Sequence, residues 1–196
     1  TFIMVATYSL FYIMTAFAQA YSRTPATLSE AGYPMGLGIP ANTFTGLLLM
    51  SAIVFAIFIS ISGLYADKIG RRKWLIWTTV SILIFALCMP LFLGNGTPAS
   101  VFAFLVIGMA LMGMTFGPMA ALLPELFPTE VRYSGASLAY NIASIIGATI
   151  AAIISLKINA LYGLMGVGIY LAINAFLTLL ALLASKETKN VDLTQI

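Results

Sequence analysis

The sequence predicts an all-α membrane protein, a single bundle of six transmembrane helices, and three observations carry this. Of the 196 residues, 61% are hydrophobic and 8% are charged, with a mean hydropathy of +1.04. A water-soluble domain carries roughly 25% charged residues because its surface must face water, so lipid is the solvent for most of this surface. The apolar residues fall into six stretches, 1–21, 41–66, 74–93, 99–123, 135–156 and 163–185. Each is near the ~20 residues that cross a hydrocarbon core of about 30 Å at about 1.5 Å per residue. Backbone in lipid must satisfy its own hydrogen bonds, which restricts these stretches to helices. A barrel would show segments of about ten residues alternating apolar and polar, and the sequence has none.

The connections set the orientation. Lys68, Arg71, Arg72 and Lys73 follow the second stretch, Arg132 the fourth, and Lys186 and Lys189 the sixth; the other side holds Arg23 and Lys157. Positive residues favour the cytoplasm, so both ends are expected there, with a cytoplasmic tail over 186–196. The connection 22–40 holds Pro25, Gly32, Pro34, Gly36, Gly38 and Pro40 and reads as an irregular external loop. The net charge of +3 and the pI near 9.1 do not point to nucleic acid, because the basic residues are topogenic. The lone Cys88 forms no internal disulfide, and with no histidine neither a His-ligated metal site nor His-based catalysis is expected. The chain opens at Thr1 directly in apolar sequence, which predicts a piece of a longer protein.

Two inner connections carry the densest information. In Gly63-Leu-Tyr-Ala-Asp67-Lys68-Ile-Gly70-Arg71-Arg72-Lys73, Gly70 permits a sharp reversal and the basic triplet anchors the next helix at anionic headgroups. Trp74 and Trp77 follow at the interface. In Pro124-Glu125-Leu-Phe-Pro128-Thr-Glu130-Val-Arg132, Pro128 interrupts the helix, which lets Glu125 and Arg132 approach at the membrane surface. Pro118 removes a hydrogen bond inside the fourth helix, and Pro90 marks the end of the third. Ala139, Ala143, Gly147, Ala151 and Ser155 recur every four residues, as Gly113 and Gly117 do on the fourth helix, which predicts close helix packing.

The pattern G-x-x-x-D-K-x-G-R-R-K after the second helix resembles the loop signature of the major facilitator superfamily. The run from Pro124 through Tyr140 and Asn141 to Gly147 resembles the metabolite:proton symporter family. Lys186-Glu187-Thr188-Lys189 resembles the post-helix P-E-T-K motif of sugar porters, with Lys186 in place of proline. The resemblance implies the C-terminal six-helix half of a major facilitator transporter in the plasma (bacterial inner) membrane. It implies proton-coupled uptake of a small polar or anionic metabolite by alternating access, with no reaction catalysed and no cofactor. The partners it implies are membrane lipid, the substrate, protons and the missing N-terminal half.

Polar residues within membrane helices should face the bundle interior or a water-filled cavity. Tyr8, Tyr12, Thr15 and Gln19 fall on one helical face; Tyr140, Asn141 and Ser144 lie on the fifth helix. These seven are the candidates for lining the substrate cavity, the alternative for each being an interhelical hydrogen bond. Asp67, Arg71, Arg72, Glu125, Arg132 and Glu187 are the candidates for a cytoplasmic gate. All six acids, Glu30, Asp67, Glu125, Glu130, Glu187 and Asp192, lie in loops or at helix ends, so a proton-titrating carboxylate is expected in the other half. The alternative function is a self-contained six-helix oligomeric channel or membrane scaffold. An intramembrane protease lacks a histidine and a mid-membrane acid pair here.

Overall fold

The computed structural model describes residues 2–185, and for residues 148–150 and 152 the backbone only. Six helices succeed one another: α1 (Phe2–Arg23), α2 (Ala41–Ile69), α3 (71–93), α4 (Pro98–Glu125), α5 (132–162) and α6 (164–184). Among the described residues, four helical stretches are long and apolar enough to cross a membrane, Phe2–Arg23, Ala41–Ile69, Pro98–Glu125 and Ile153–Ala184, the last of them interrupted at Gly163. The other two crossings of the sequence reading differ for physical reasons. α3 breaks at Cys88 into Arg71–Leu87 and the single turn Met89–Leu93. Pro90 sits at the start of that turn, where its missing N–H is harmless; it restarts a helix rather than ending one. α5 opens with the polar residues Arg132, Tyr133 and Ser134 and passes through a wide turn at Ile145–Ile150, so its helical ladder is not regular throughout.

Helix α5 passes through a wide turn at Ile145–Ile150 and runs into α6, broken only at Gly163, whose φ of 66° turns the chain back. Helix α1 has a similar wide turn at Ile13–Phe17 and opens with a 3-10 turn, Phe2–Met4. The outer loop is irregular but hydrogen-bonded: Leu37 N–H donates to Tyr21 O (3.1 Å) and Ile39 N–H to Ser22 O (2.7 Å). Asn159 on α5 donates to Pro34 O (2.9 Å), tying the loop to the bundle.

Close approach of backbones holds the bundle, since lipid leaves no hydrophobic drive between helices. A Cβ added at Gly117 would stand 2.1 Å from Ser62 Oγ and 2.6 Å from Ile59 O; one at Gly113 would stand 2.7 Å from Phe55 O. α4 therefore lies directly on α2, and Ser62 Oγ donates across the contact to Gly113 O (3.0 Å). The small stripe of α5 is buried at Ala139, Ala143, Ala151 and Ser155, and Gly147 abuts Tyr8, as the spacing predicts. Outward, Leu49, Ile53, Trp77, Ile84, Leu91 and Ile173 are exposed, an apolar coat suited to lipid.

Pro118 cannot donate to the carbonyl four residues earlier, Met114 O. The indole N–H of Trp74 on α3 donates to that oxygen instead (3.0 Å), while its ring stacks on Tyr65. The helix thus continues through Pro118 to Glu125. Trp74→Phe should keep the stacking and lower thermal stability in detergent by about 1–3 kcal/mol, the cost of an unpaired buried carbonyl. In a Pro118→Ala background, where the backbone N–H is restored, the same change should cost measurably less, and the coupling energy of the double-mutant cycle reads the difference.

Candidate functional site

At one end of the bundle the helix ends gather around Arg71 and Arg72. Gly70 joins α2 to α3 alone, at φ 112° and ψ 129°, a backbone that residues with a Cβ rarely adopt. This places Asp67 one turn before Arg71 and in reach of it: Arg71 Nε donates to Asp67 Oδ1 (3.1 Å). Arg71 Nη1 pairs with Glu125 Oε1 at the end of α4. Only 13% of the Glu125 side chain is exposed, against 63% for Asp67, so the Glu125 pair is the one with energetic weight, an exposed pair contributing about 0–1 kcal/mol. Arg72 turns the other way. Its Nε and Nη2 donate to Leu182 O and Leu183 O, each at 2.7 Å, capping the last turn of α6 where orphan carbonyls and the helix dipole favour a cation. Two adjacent arginines thus join the inner ends of four helices.

Arg132 begins α5. Its Nε donates to Phe127 O (3.4 Å) and its Nη2 to Thr129 Oγ1 (3.2 Å), across the turn that Pro128 opens. Glu125, expected from its spacing to approach Arg132, is also held by Arg71 of the same gate group. Glu187 lies outside the described residues, as does the tail 186–196.

Next to this cluster a cleft of about 580 Å³ opens between the end of α4 and α5, lined by Pro124, Thr129, Arg132, Tyr133, Ala136, Ser137 and Tyr140. Tyr140, which lines the cleft, and Tyr8 both pack against one buried cluster that includes Met119, Ala136, Ala139 and Ala143. Tyr8 then continues onto α1. Tyr8, Tyr12, Thr15 and Gln19 are all half-buried on one face of a helix whose other face is buried. Thr15 Oγ1 donates to Phe11 O (2.7 Å). Of the fifth-helix candidates, Ser144 is half-buried and Asn141 is exposed, its amide donating to Ser137 O of its own helix (2.8 Å).

Sequence reasoning missed the aromatic flank of this wall. Phe116 of α4 meets the Tyr8 ring edge-on at 6.4 Å, and Phe55 of α2 meets Phe116 edge-on at 5.7 Å. Phenylalanine in an apolar run carries no signal of its own. It also missed Ser9, Asn174 and Thr178, buried polar groups behind α1; here the signal was present, since an asparagine mid-way along an apolar helix is costly unless partnered. The hydroxyl and amide groups along α1 and the guanidinium at the cleft mouth form a polar strip inside an otherwise apolar bundle.

Residues 35–196 match the family model of sugar (and other) transporters. The chain is 86% identical over its whole length to a Haemophilus influenzae protein named as a candidate metabolite transport protein, covering 45% of that relative. It is 52% identical, over 98% of its length, to the inner membrane metabolite transport protein YhjE of Escherichia coli K12, covering 42% of it. It is 32% identical, over 74% of its length, to the proline/betaine transporter of Salmonella typhimurium, covering 29% of it. The chain thus spans less than half the length of these curated relatives. No solved structure matches it significantly.

The Arg71–Glu125 pair generates a test. Arg71→Gln takes a cationic partner away from the largely buried Glu125 carboxylate and should lower the thermal stability of the purified full-length protein by about 1–3 kcal/mol. Adding Glu125→Gln should recover most of that loss, whereas Asp67→Asn alone should cost about 0–1 kcal/mol.

Proposed function

The chain belongs to the sugar (and other) transporter family of the major facilitator superfamily, and on that premise we propose that it forms the C-terminal half of a proton-coupled transporter for a small polar metabolite. The observation that carries the reading is the polar face of α1. Tyr8, Tyr12, Thr15 and Gln19 are left half-uncovered, alongside Phe11, Ala16 and Ala20, on a helix whose other face is buried by its neighbours. Hydroxyl and amide groups facing hydrocarbon are costly, so this face requires water or a second protein wall opposite it. A second six-helix half supplies that wall, and the space between the two is the substrate cavity. The cleft between α4 and α5 is its inner vestibule, with Arg132 at the mouth.

In this reading Tyr8, Tyr12, Thr15, Gln19, Tyr140, Asn141 and Ser144 line the cavity. Asp67, Arg71, Arg72, Glu125 and Arg132 form the cytoplasmic gate, whose pairs favour the state closed to the cytoplasm and loosen when the transporter opens inward; Glu187 is assigned to the same gate. With no acid along the described helix interiors, the proton-binding group belongs to the other half. The printed names of the relatives direct the choice of substrate to proline and betaine first.

The full-length protein in liposomes should take up labelled proline or glycine betaine saturably, faster with an inward proton gradient, and a protonophore should abolish the difference. Uptake indifferent to the gradient removes proton coupling from the proposal. Residues 1–196 reconstituted alone should show no saturable uptake; robust uptake favours the self-contained channel. For the orientation, membrane-impermeant maleimide added to sealed cells should modify Glu30→Cys and spare Arg132→Cys. Glu30 is exposed in the outer loop, and the reverse pattern inverts the topology.

A further inference from the structure

Tyr8 stands where the inner vestibule meets the polar face of α1, and three residues that do not touch the cavity fix the backbone beneath it. On α6, Asn174 Nδ2 donates to Ser9 Oγ at 2.9 Å. One turn further along α6, Thr178 Oγ1 accepts from Ala6 N–H at 3.1 Å and donates to Phe2 O at 2.8 Å. The threonine hydroxyl therefore sits between a donor and an acceptor four residues apart on α1, at the junction of the opening 3-10 turn and the α-helical segment Val5–Tyr12. Ser9 is fully buried, Thr178 nearly so, and Asn174 is 9% exposed. On the opposite side α5 presses its backbone against the same two residues: a Cβ at Gly147 would stand 2.4 Å from Tyr8 Cβ and 3.1 Å from Ser9 N.

We propose that Asn174, Thr178 and Gly147 are positioning residues that set where Tyr8 stands in the substrate wall, so that α6, a helix remote from the cavity, tunes substrate selection. In water a lost hydrogen bond is replaced by solvent. Inside this bundle no solvent reaches Ser9 or Ala6, so loss of either partner leaves an unpaired group that only a shift of α1 can relieve. Such a shift carries Tyr8 with it, because Tyr8 lies between Ala6 and Ser9 in the same turn. A gain of volume at Gly147 pushes the same segment from the other side. A contact that merely held the fold would alter abundance and leave the geometry of the wall alone.

This inference rests on the cavity reading of α1. Its test uses the full-length protein with native cysteines replaced by serine, in membrane vesicles. The cysteine placed by Tyr8→Cys reports the position of the backbone through its rate of reaction with a water-soluble maleimide. Asn174→Leu and Thr178→Val, which remove the polar groups at near-constant volume, should each change that rate by about threefold or more, as should Gly147→Ala. Thr178→Ser, which keeps the hydroxyl, should react at the parental rate. In the protein with Tyr8 intact, the same three variants should move KM for proline or betaine uptake more than the maximal rate per transporter at the surface.

Parental labelling rates in Asn174→Leu and Thr178→Val at normal abundance overturn the proposal. If both fail to accumulate, Gly147→Ala decides it by the same criterion. No labelling of Tyr8→Cys in the parent overturns the cavity reading and the proposal with it. Labelling that responds to the variants, in a protein that takes up neither proline nor betaine, supports the positioning and overturns only the choice of substrate.

Discussion

A broken helix ladder in hydrocarbon has no water to mend it, and much of this structure follows from that constraint. The chain breaks its ladders repeatedly, and at three of the breaks a side chain from another helix completes the hydrogen bonding. Trp74 of α3 takes the carbonyl that Pro118 frees on α4. Thr178 of α6 bridges the opening of α1. Arg72 of α3 caps the end of α6. A soluble protein could leave each of these groups to solvent. Here each repair is also a tie between two helices, so local irregularity and tertiary structure arise from the same contacts.

The ties are distributed unevenly, and the distribution separates two regions. At the inner end charged side chains join α2, α3, α4 and α6 around Gly70, a turn so short that Asp67 and Arg71 fall within one helical turn of each other. Within the bundle the ties are neutral: Asn174 with Ser9, Thr178 with Ala6 and Phe2, Ser62 with Gly113. Charges concentrate where headgroups and water lower their desolvation cost, and neutral hydroxyls and amides serve where water is excluded.

The sequence made the six helices, the reversal at Gly70 and the packing role of the small residues legible, because each depends on a local property: run length, glycine's access to positive φ, or side-chain volume. It nominated Tyr8, Tyr12, Thr15 and Gln19 through a helical period, and the structure leaves that face half-uncovered. It placed Glu125 and Arg71 in one cytoplasmic gate, but the contact itself spans 54 residues and depends on how α4 lies on α2. Arg132, seven residues from Glu125, was the nearer candidate by spacing, yet it also donates into its own turn at Phe127 and Thr129. Pro90 misled for a related reason. A proline at the end of an apolar run reads as a stop, and only the turn preceding it, at Cys88, shows that it begins a new helix.

Asn174 illustrates how a costly residue gains meaning. An amide in mid-helix could face a cavity, a partner helix or a second protein, and its position in the sequence does not choose among them. In the structure it faces Ser9, so the amide ties α6 to the buried side of α1. The α1 segment over residues 6–9 is therefore bounded by a hydrogen-bonded side towards α6, a backbone contact towards α5 at Gly147 and an aromatic edge towards α4 at Phe116. Only its remaining face is uncovered. A segment held on three sides in a close-packed interior has few small displacements open to it, so Tyr8 moves chiefly when the helices that hold it move. The Tyr8 turn and the bundle behind it are then mechanically one object, and α6 is coupled to that turn through three hydrogen bonds.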